Sequence, residues 1–221
     1  MGYILCLETA TTNCSVALTK NGKVIAIRED IDGGYSHAER LHVFIEEVLM
    51  ETGIKASQLD AVAVGKGPGS YTGLRIGVAA AKGLCFALDI PLIAIPTLAL
   101  LAFQVADKKE VSTIIPMIDA RRMEVYASVY AHDYQEIRET RAEILDPTSY
   151  LEYLNEGMVC FIGSGVAKFA EICDHPNAIF IKDAMPSTKE MALQSYSKFK
   201  QQDFEDVTYF DPYYLKDFVT G

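Results

Sequence analysis

The segment Gly65–Gly77 holds five glycines, and it follows the apolar run Ala61-Val62-Ala63-Val64. The spacing predicts a short buried strand, a glycine-rich turn and then a helix running to about Leu88. That order is the start of a parallel βα unit, which needs a sheet with helices laid on its faces. Two uses of the glycines stay open at this level. Closely spaced glycines before a helix N-terminus can cradle a phosphate. The run nevertheless lacks both Gly-x-Gly-x-x-Gly and a closing Gly-Lys-Ser/Thr, since Gly67-Pro68-Gly69 is followed by glycine only at position 73. The mechanical alternative is a tight turn at Gly67-Pro68-Gly69, with Gly73, Gly77, Ala80, Ala81 and Leu84 forming a small-residue face for close helix packing.

The rest of the chain extends this pattern. Tyr3–Glu8, Cys14–Thr19 and Val24–Arg28 read as three strands, the last two joined by a turn containing Asn21-Gly22. Gly33-Gly34 ends that sheet, and Ser36-His37-Ala38-Glu39 reads as a capping box. Leu41, Phe44, Ile45, Val48 and Leu49 then make one apolar helical stripe that Gly53 stops. A strand at Leu92–Ile95 precedes a third helix from Thr97. The pattern restarts near Ser112: strands at Ile114–Ile118 and Glu124–Tyr130, a short helix opened by Pro147, and a strand at Met158–Ile162. Gly163-Ser164-Gly165 leads into another helix, followed by Ile179–Ile181 and a helix over Lys189–Lys200. Strands then alternating helix and strand, in both halves, imply an α/β fold of two lobes.

Composition narrows the functions. The 221 residues carry 20 Lys+Arg against 30 Asp+Glu, a net charge of −10, with half of the chain apolar. Wholesale disorder is excluded. A chain of this length can bury roughly 70% of its unfolded surface without a disulfide or metal staple. No basic run offers the phosphate contacts of a free-standing nucleic-acid binder. The N-terminus lacks the basic region of a signal peptide, and no apolar stretch reaches membrane-spanning length. Cys6, Cys14, Cys85, Cys160 and Cys173 read as buried thiols of a cytoplasmic protein.

Other residues carry both a chemical and a plain structural meaning. Glu8 and Asp119 each end the first strand of a lobe, where paired acids can hold a metal–nucleotide and single acids form turns. Gly163-Ser164-Gly165 is likewise a turn or an adenosine contact. His37 and His42 are five apart, about 140° around a helix, a poor metal pair. No Gly-x-Ser-x-Gly nucleophile elbow is present.

Five segments together resemble one family: Ile4–Thr9, Ser36–Leu41, Gly65–Gly77, Lys82-Gly83-Leu84 and Asp119-Ala120-Arg121-Arg122-Met123-Glu124-Val125-Tyr126. They are similar to TsaB (YeaZ), the bacterial accessory subunits of the tRNA threonylcarbamoyladenosine (t6A) machinery. The resemblance implies a two-lobed actin-like fold (ASKHA, ribonuclease H-like) with a complete lobe over 1–106 and a reduced one over 107–221. It implies a scaffold for TsaD, the relative that transfers threonylcarbamoyl to the adenosine beside the anticodon, with the ATPase TsaE joining them. The two metal-binding histidines of TsaD align with Thr97 and Leu101, neither of which replaces imidazole, so no catalysis is expected from this chain. The implied partner surface comprises His37, Leu41, Phe44, Ile45 and Val48 on one helix and Tyr71, Leu74, Arg75, Val78 and Lys82 on the next. It would contact TsaD, or a second copy when TsaD is absent. tRNA would be reached only through the complex. No cofactor is required, although ATP or ADP is admissible in the complex or in a vestigial cleft of Glu8, Thr9, Asp119, Gly163 and Gly165. The alternative is an ASKHA phosphotransferase or ATPase that uses Glu8, Asp119 and the glycine turns.

Overall fold

A computed structural model describes residues 2–31, 36–105 and 110–216. The Gly33-Gly34 break and the lobe boundary expected at residues 106–107 lie outside the described residues. The chain forms two compact units: Met1–Leu100 together with Pro186–Gly221, and Leu101–Met185.

The first unit is built on a five-stranded sheet of β1 (Tyr3–Glu8), β2 (Cys14–Lys20), β3 (Lys23–Asp30), β4 (Ala61–Gly65) and β5 (Leu92–Ile95), in the order β3-β2-β1-β4-β5. β1, β2 and β3 pair antiparallel, while β4 and β5 join in parallel. Parallel strands need crossovers, and α1 (His37–Thr52) and α2 (Tyr71–Leu88) are their helices. Residues alternate between the faces of the central strands: Leu5, Leu7, Val62 and Val64 face one way, and Ile4, Cys6, Ala61 and Ala63 the other. Both faces are therefore apolar and both need cover. α1 and α2 cover the first, each fully buried aliphatic side chain contributing about 1.5–3 kcal/mol. α3 (Thr97–Ala102) begins beside the second, which Leu100 and Met191 help to fill.

Met191 belongs to a helix near the end of the chain, Thr188–Gln201, which packs on β1, β2 and β5. The Ser15 and Thr188 hydroxyls lie 2.6 Å apart, and the Thr188 amide donates to Ser15 Oγ at 3.0 Å. Sequence order places this helix in the second lobe. The structure groups it with the first, because the second face of the first sheet would otherwise stand uncovered.

The second unit repeats the topology with β6 (Val111–Asp119), β7 (Glu124–Ala131), β8 (Glu136–Ile144), β9 (Met158–Gly163) and β10 (Ala178–Lys182), in the order β10-β9-β6-β7-β8. Its crossover helices shrink to α4 (Leu151–Leu154) and α5 (Val166–Ala170). Phe161, Phe169 and Tyr150 pack tilted and edge-on against one another in its core. The closing helix Thr188–Gln201 is α6.

Two local expectations change. The capping box at Ser36 does not form: its hydroxyl donates to Asp30 Oδ2 at 3.2 Å instead of accepting from the helix. The apolar stripe expected to face a partner faces this chain's own sheet. Leu41, Phe44, Ile45 and Val48 of α1, and Leu74, Val78 and Cys85 of α2, are all buried within the unit. A broad apolar sheet face takes in a wide arc of each helix, and periodicity alone does not say which arc.

Val78→Asp should therefore abolish the native fold of the isolated chain. An unpaired carboxylate in that core costs several kcal/mol, and loss of the far-UV circular dichroism signal would report it. A folded Val78→Asp protein would contradict this packing.

Candidate functional site

The glycine-rich segment packs the start of α2 onto the turn that follows β1. A Cβ on Gly69 would overlap the Ala10 carbonyl, and one on Gly73 the Thr9 carbonyl. The Ser70 amide donates to the Ala10 carbonyl at 2.7 Å, and Thr9 Oγ1 donates to the Gly73 carbonyl at 2.7 Å. His37, at the start of α1, is buried, and its Nε2–H donates to the Thr11 carbonyl at 2.7 Å. Burial lowers its pKa and favours the neutral ring. Its place at the helix start thus ties α1 to the same turn.

Several backbone donors of the glycine-rich segment are already engaged. The Lys66 amide bonds the Ile95 carbonyl, the Gly67 amide bonds Thr97 Oγ1 at 3.1 Å, and the Gly73 amide bonds Ser70 Oγ at 3.3 Å. Of the two uses that the sequence leaves open, close packing is the one the geometry displays.

Thr97 and Leu101, the two residues that the resemblance sets against metal-binding histidines, are both fully buried. Thr97 Oγ1 accepts from Gly67 and donates to Glu8 Oε2 at 3.5 Å. Among the described residues no cluster of three His, Cys, Asp or Glu could hold a metal ion.

Glu8 is fully buried, and Gly65 leaves it no spare room, because a Cβ there would overlap the carboxylate. Desolvation raises its pKa to about 7 against the bonds from Ala10, Thr9 and Thr97, the Ala10 amide lying 2.6 Å from Oε1. Thr9 and Glu8 lie in the first unit, whereas Asp119, Gly163 and Gly165 cluster in the second. There Asp119 Oδ1 accepts from the Arg121 amide at 2.6 Å and pairs with Lys168 at 3.1 Å. The Asp119 amide donates to Ser164 Oγ, and the Gly165 amide to the Met117 carbonyl. Gly163 sits at φ 124°, against the Met117 carbonyl.

Three of the expected partner residues remain at the surface, yet each already has a contact. Arg75 lies over the Tyr71 ring at 4.1 Å and donates to the Tyr214 hydroxyl at 3.3 Å. Lys82 Nζ donates to the Phe210 carbonyl at 2.8 Å and the Thr208 carbonyl at 3.2 Å. The segment after α6 thus straps α2, and the Tyr213 amide fixes it to the Lys66 carbonyl at 2.7 Å. Sequence reasoning missed the open face of α2, where Thr72, Ala79, Gly83, Phe86 and Ala87 are exposed, Phe86 at 85%. α1 adds exposed Val43 and Met50. The complement of the buried stripe on a helical wheel would have found them.

Two copies of one strand order, three antiparallel strands followed by two parallel ones, place the chain in the actin-like, ribonuclease H-like class. A solved structure of YeaZ from Pseudomonas aeruginosa matches it with a TM-score of 0.83 at 28% identity, covering 97% of this chain and all of that one. A second Pseudomonas aeruginosa structure, an uncharacterized protein similar to peptidase YeaZ, has a TM-score of 0.85 at 26% identity over 98% of this chain. The family model for TsaD, tRNA N6-adenosine threonylcarbamoyltransferase, matches residues 33–210. The tRNA threonylcarbamoyladenosine biosynthesis protein TsaB of Haemophilus influenzae is 30% identical over 98% of this chain and 94% of its own length. The chain belongs to the TsaB (YeaZ) family.

Glu8 should give the fold a pH dependence of known sign. Its pKa is higher folded than unfolded, so stability is full below about pH 4.5 and falls as pH rises through about 7. Complete ionisation costs about 3 kcal/mol. Glu8→Gln should remove that component, so the difference in urea stability between variant and parent should grow from pH 5 to 8. A pH-independent difference would show that Glu8 stays ionised in the fold.

Proposed function

We propose that the chain is a non-catalytic scaffold of the t6A complex that supports TsaD in modifying the adenosine beside the anticodon of tRNA. Its family places it in t6A biosynthesis. The finer reading is supported by what fills the site. Buried Thr97 and Leu101 stand at the aligned ligand positions, and the glycine-turn amides bond the protein itself. A nucleotide phosphotransferase has no comparable support in these bonds.

The observation that carries the scaffold role is the open face of α2. Gly83 lies mid-helix, where glycine costs about 0.5–1 kcal/mol relative to alanine, yet a Cβ there would meet nothing within 4 Å. Nothing among the described residues accounts for it. A second helix backbone approaching closely would, with Phe86 as an apolar anchor beside it. TsaD is the partner in this reading, and a second copy takes its place when TsaD is absent. TsaE joins the assembled pair, and no bound cofactor is required. The residues buried under the surface, Leu41, Phe44, Ile45, Val48, Leu74 and Val78, hold the two helices on the sheet, while Tyr71, Arg75 and Lys82 form its polar margin. No helix among the described residues is long and apolar enough to cross a membrane.

Gly83→Ala should raise the stability of the isolated chain by about 0.5–1 kcal/mol. Gly83→Leu with Phe86→Asp should leave circular dichroism intact and abolish TsaD association in light scattering. Normal association by that folded double variant would place the interface elsewhere.

A further inference from the structure

The turn Ala120-Arg121-Arg122-Met123, within Asp119–Tyr126, is a part of the family resemblance that neither the core packing nor the open face of α2 uses. It closes the β6–β7 hairpin of the second unit. Arg121 and Arg122 at its tip have φ of 71° and 48°. They are the only consecutive non-glycine pair in the left-handed region among the described residues. Arginine is disfavoured there, whereas Gly, Asn and Asp are tolerated. Such strain persists only when the surroundings fix it, and here they do. Asp119 accepts from the Arg121 amide, and Lys168 Nζ donates to the Arg122 carbonyl at 2.6 Å and the Glu124 carbonyl at 3.0 Å.

Both side chains are exposed. The chain has seven arginines. Arg28, Arg40, Arg138 and Arg141 are ion-paired, and Arg75 is held by Tyr71 and Tyr214. Among the described residues, only the guanidinium groups of Arg121 and Arg122 have no partner. In a chain of net charge −10, two adjacent unpaired arginines on a strained turn are retained at a cost to the fold.

We propose that this tip docks RNA phosphate, with Arg121 and Arg122 as positioning contacts to the phosphodiester backbone of the tRNA held by the complex. Guanidinium binds phosphate through two parallel N–H donors, and a polynucleotide offers consecutive phosphates to consecutive arginines. The inference rests on the t6A reading, which supplies tRNA as the polyanion. Two contacts are too few for tight binding by this chain alone, so the tip adds to a groove supplied by the partner.

The test replaces the pair with residues suited to the turn, Arg121→Asn with Arg122→Gly. The variant should melt at the parent temperature or above it. In complex with TsaD, it should bind tRNA about tenfold more weakly near 0.15 M salt. The slope of log K against log salt should shrink by about 1.4–1.8, corresponding to two phosphates. Arg141→Gln, which removes a paired charge from the same unit, should leave affinity and slope unchanged. Arg121→Gln with Arg122→Gln keeps the backbone demand and removes the charge, so it gives the same readout if the first variant misfolds. Parental affinity and slope in the charge-free variants would overturn the proposal. Loss of TsaD association by the charge-free variants would also overturn it, by assigning the tip to a protein contact. Failure of the parental complex to form t6A would instead strike the underlying functional reading.

Discussion

The first unit depends on how closely α2 approaches the turn after β1. Gly69 and Gly73 bring backbone onto the Ala10 and Thr9 carbonyls, a distance no side chain permits. Ser70 and Thr9 lock the contact with hydrogen bonds from both sides. From that point α2 runs over the sheet, where Val78, Ala81 and Cys85 enter the core that α1 shares. His37 fastens α1 to the same turn through Thr11. Both crossover helices are thus referenced to a few residues at the end of β1.

That arrangement also sets the chemistry. A glycine turn before a helix can present free amides to an anion, but here the amides of Lys66, Gly67, Ser70 and Gly73 bond the protein itself. Thr97 bridges the Gly67 amide to Glu8 and so serves as an internal hydrogen-bond hub. The groups left open are on surfaces: Gly83 and Phe86 on α2, and Arg121 and Arg122 on the β6–β7 hairpin.

Local elements were legible wherever the signal was local. The Asn21-Gly22 turn and the β4–glycine–α2 passage follow from residue types that few conformations suit. β8 escaped notice because its sequence, Glu-Ile-Arg-Glu-Thr-Arg-Ala-Glu-Ile, reads as a charged stretch; it is an edge strand, where charge discourages further pairing. The inward direction of the α1 and α2 stripes was hidden because a helix stripe looks alike whether it faces a sheet or a partner. The position of α6 was hidden too, since Ser15 and Thr188 meet across most of the chain. The strap on Arg75 and Lys82 has the same cause: Tyr214 and Phe210 are distant in sequence.

The central claim is that this chain supports chemistry without performing it. Single-turnover t6A formation tests it most directly, using purified chain, threonylcarbamoyl-adenylate and tRNA with and without TsaD. The account predicts no product from the chain alone, and with TsaD a yield above that of TsaD by itself. Product above background in the absence of TsaD would contradict it.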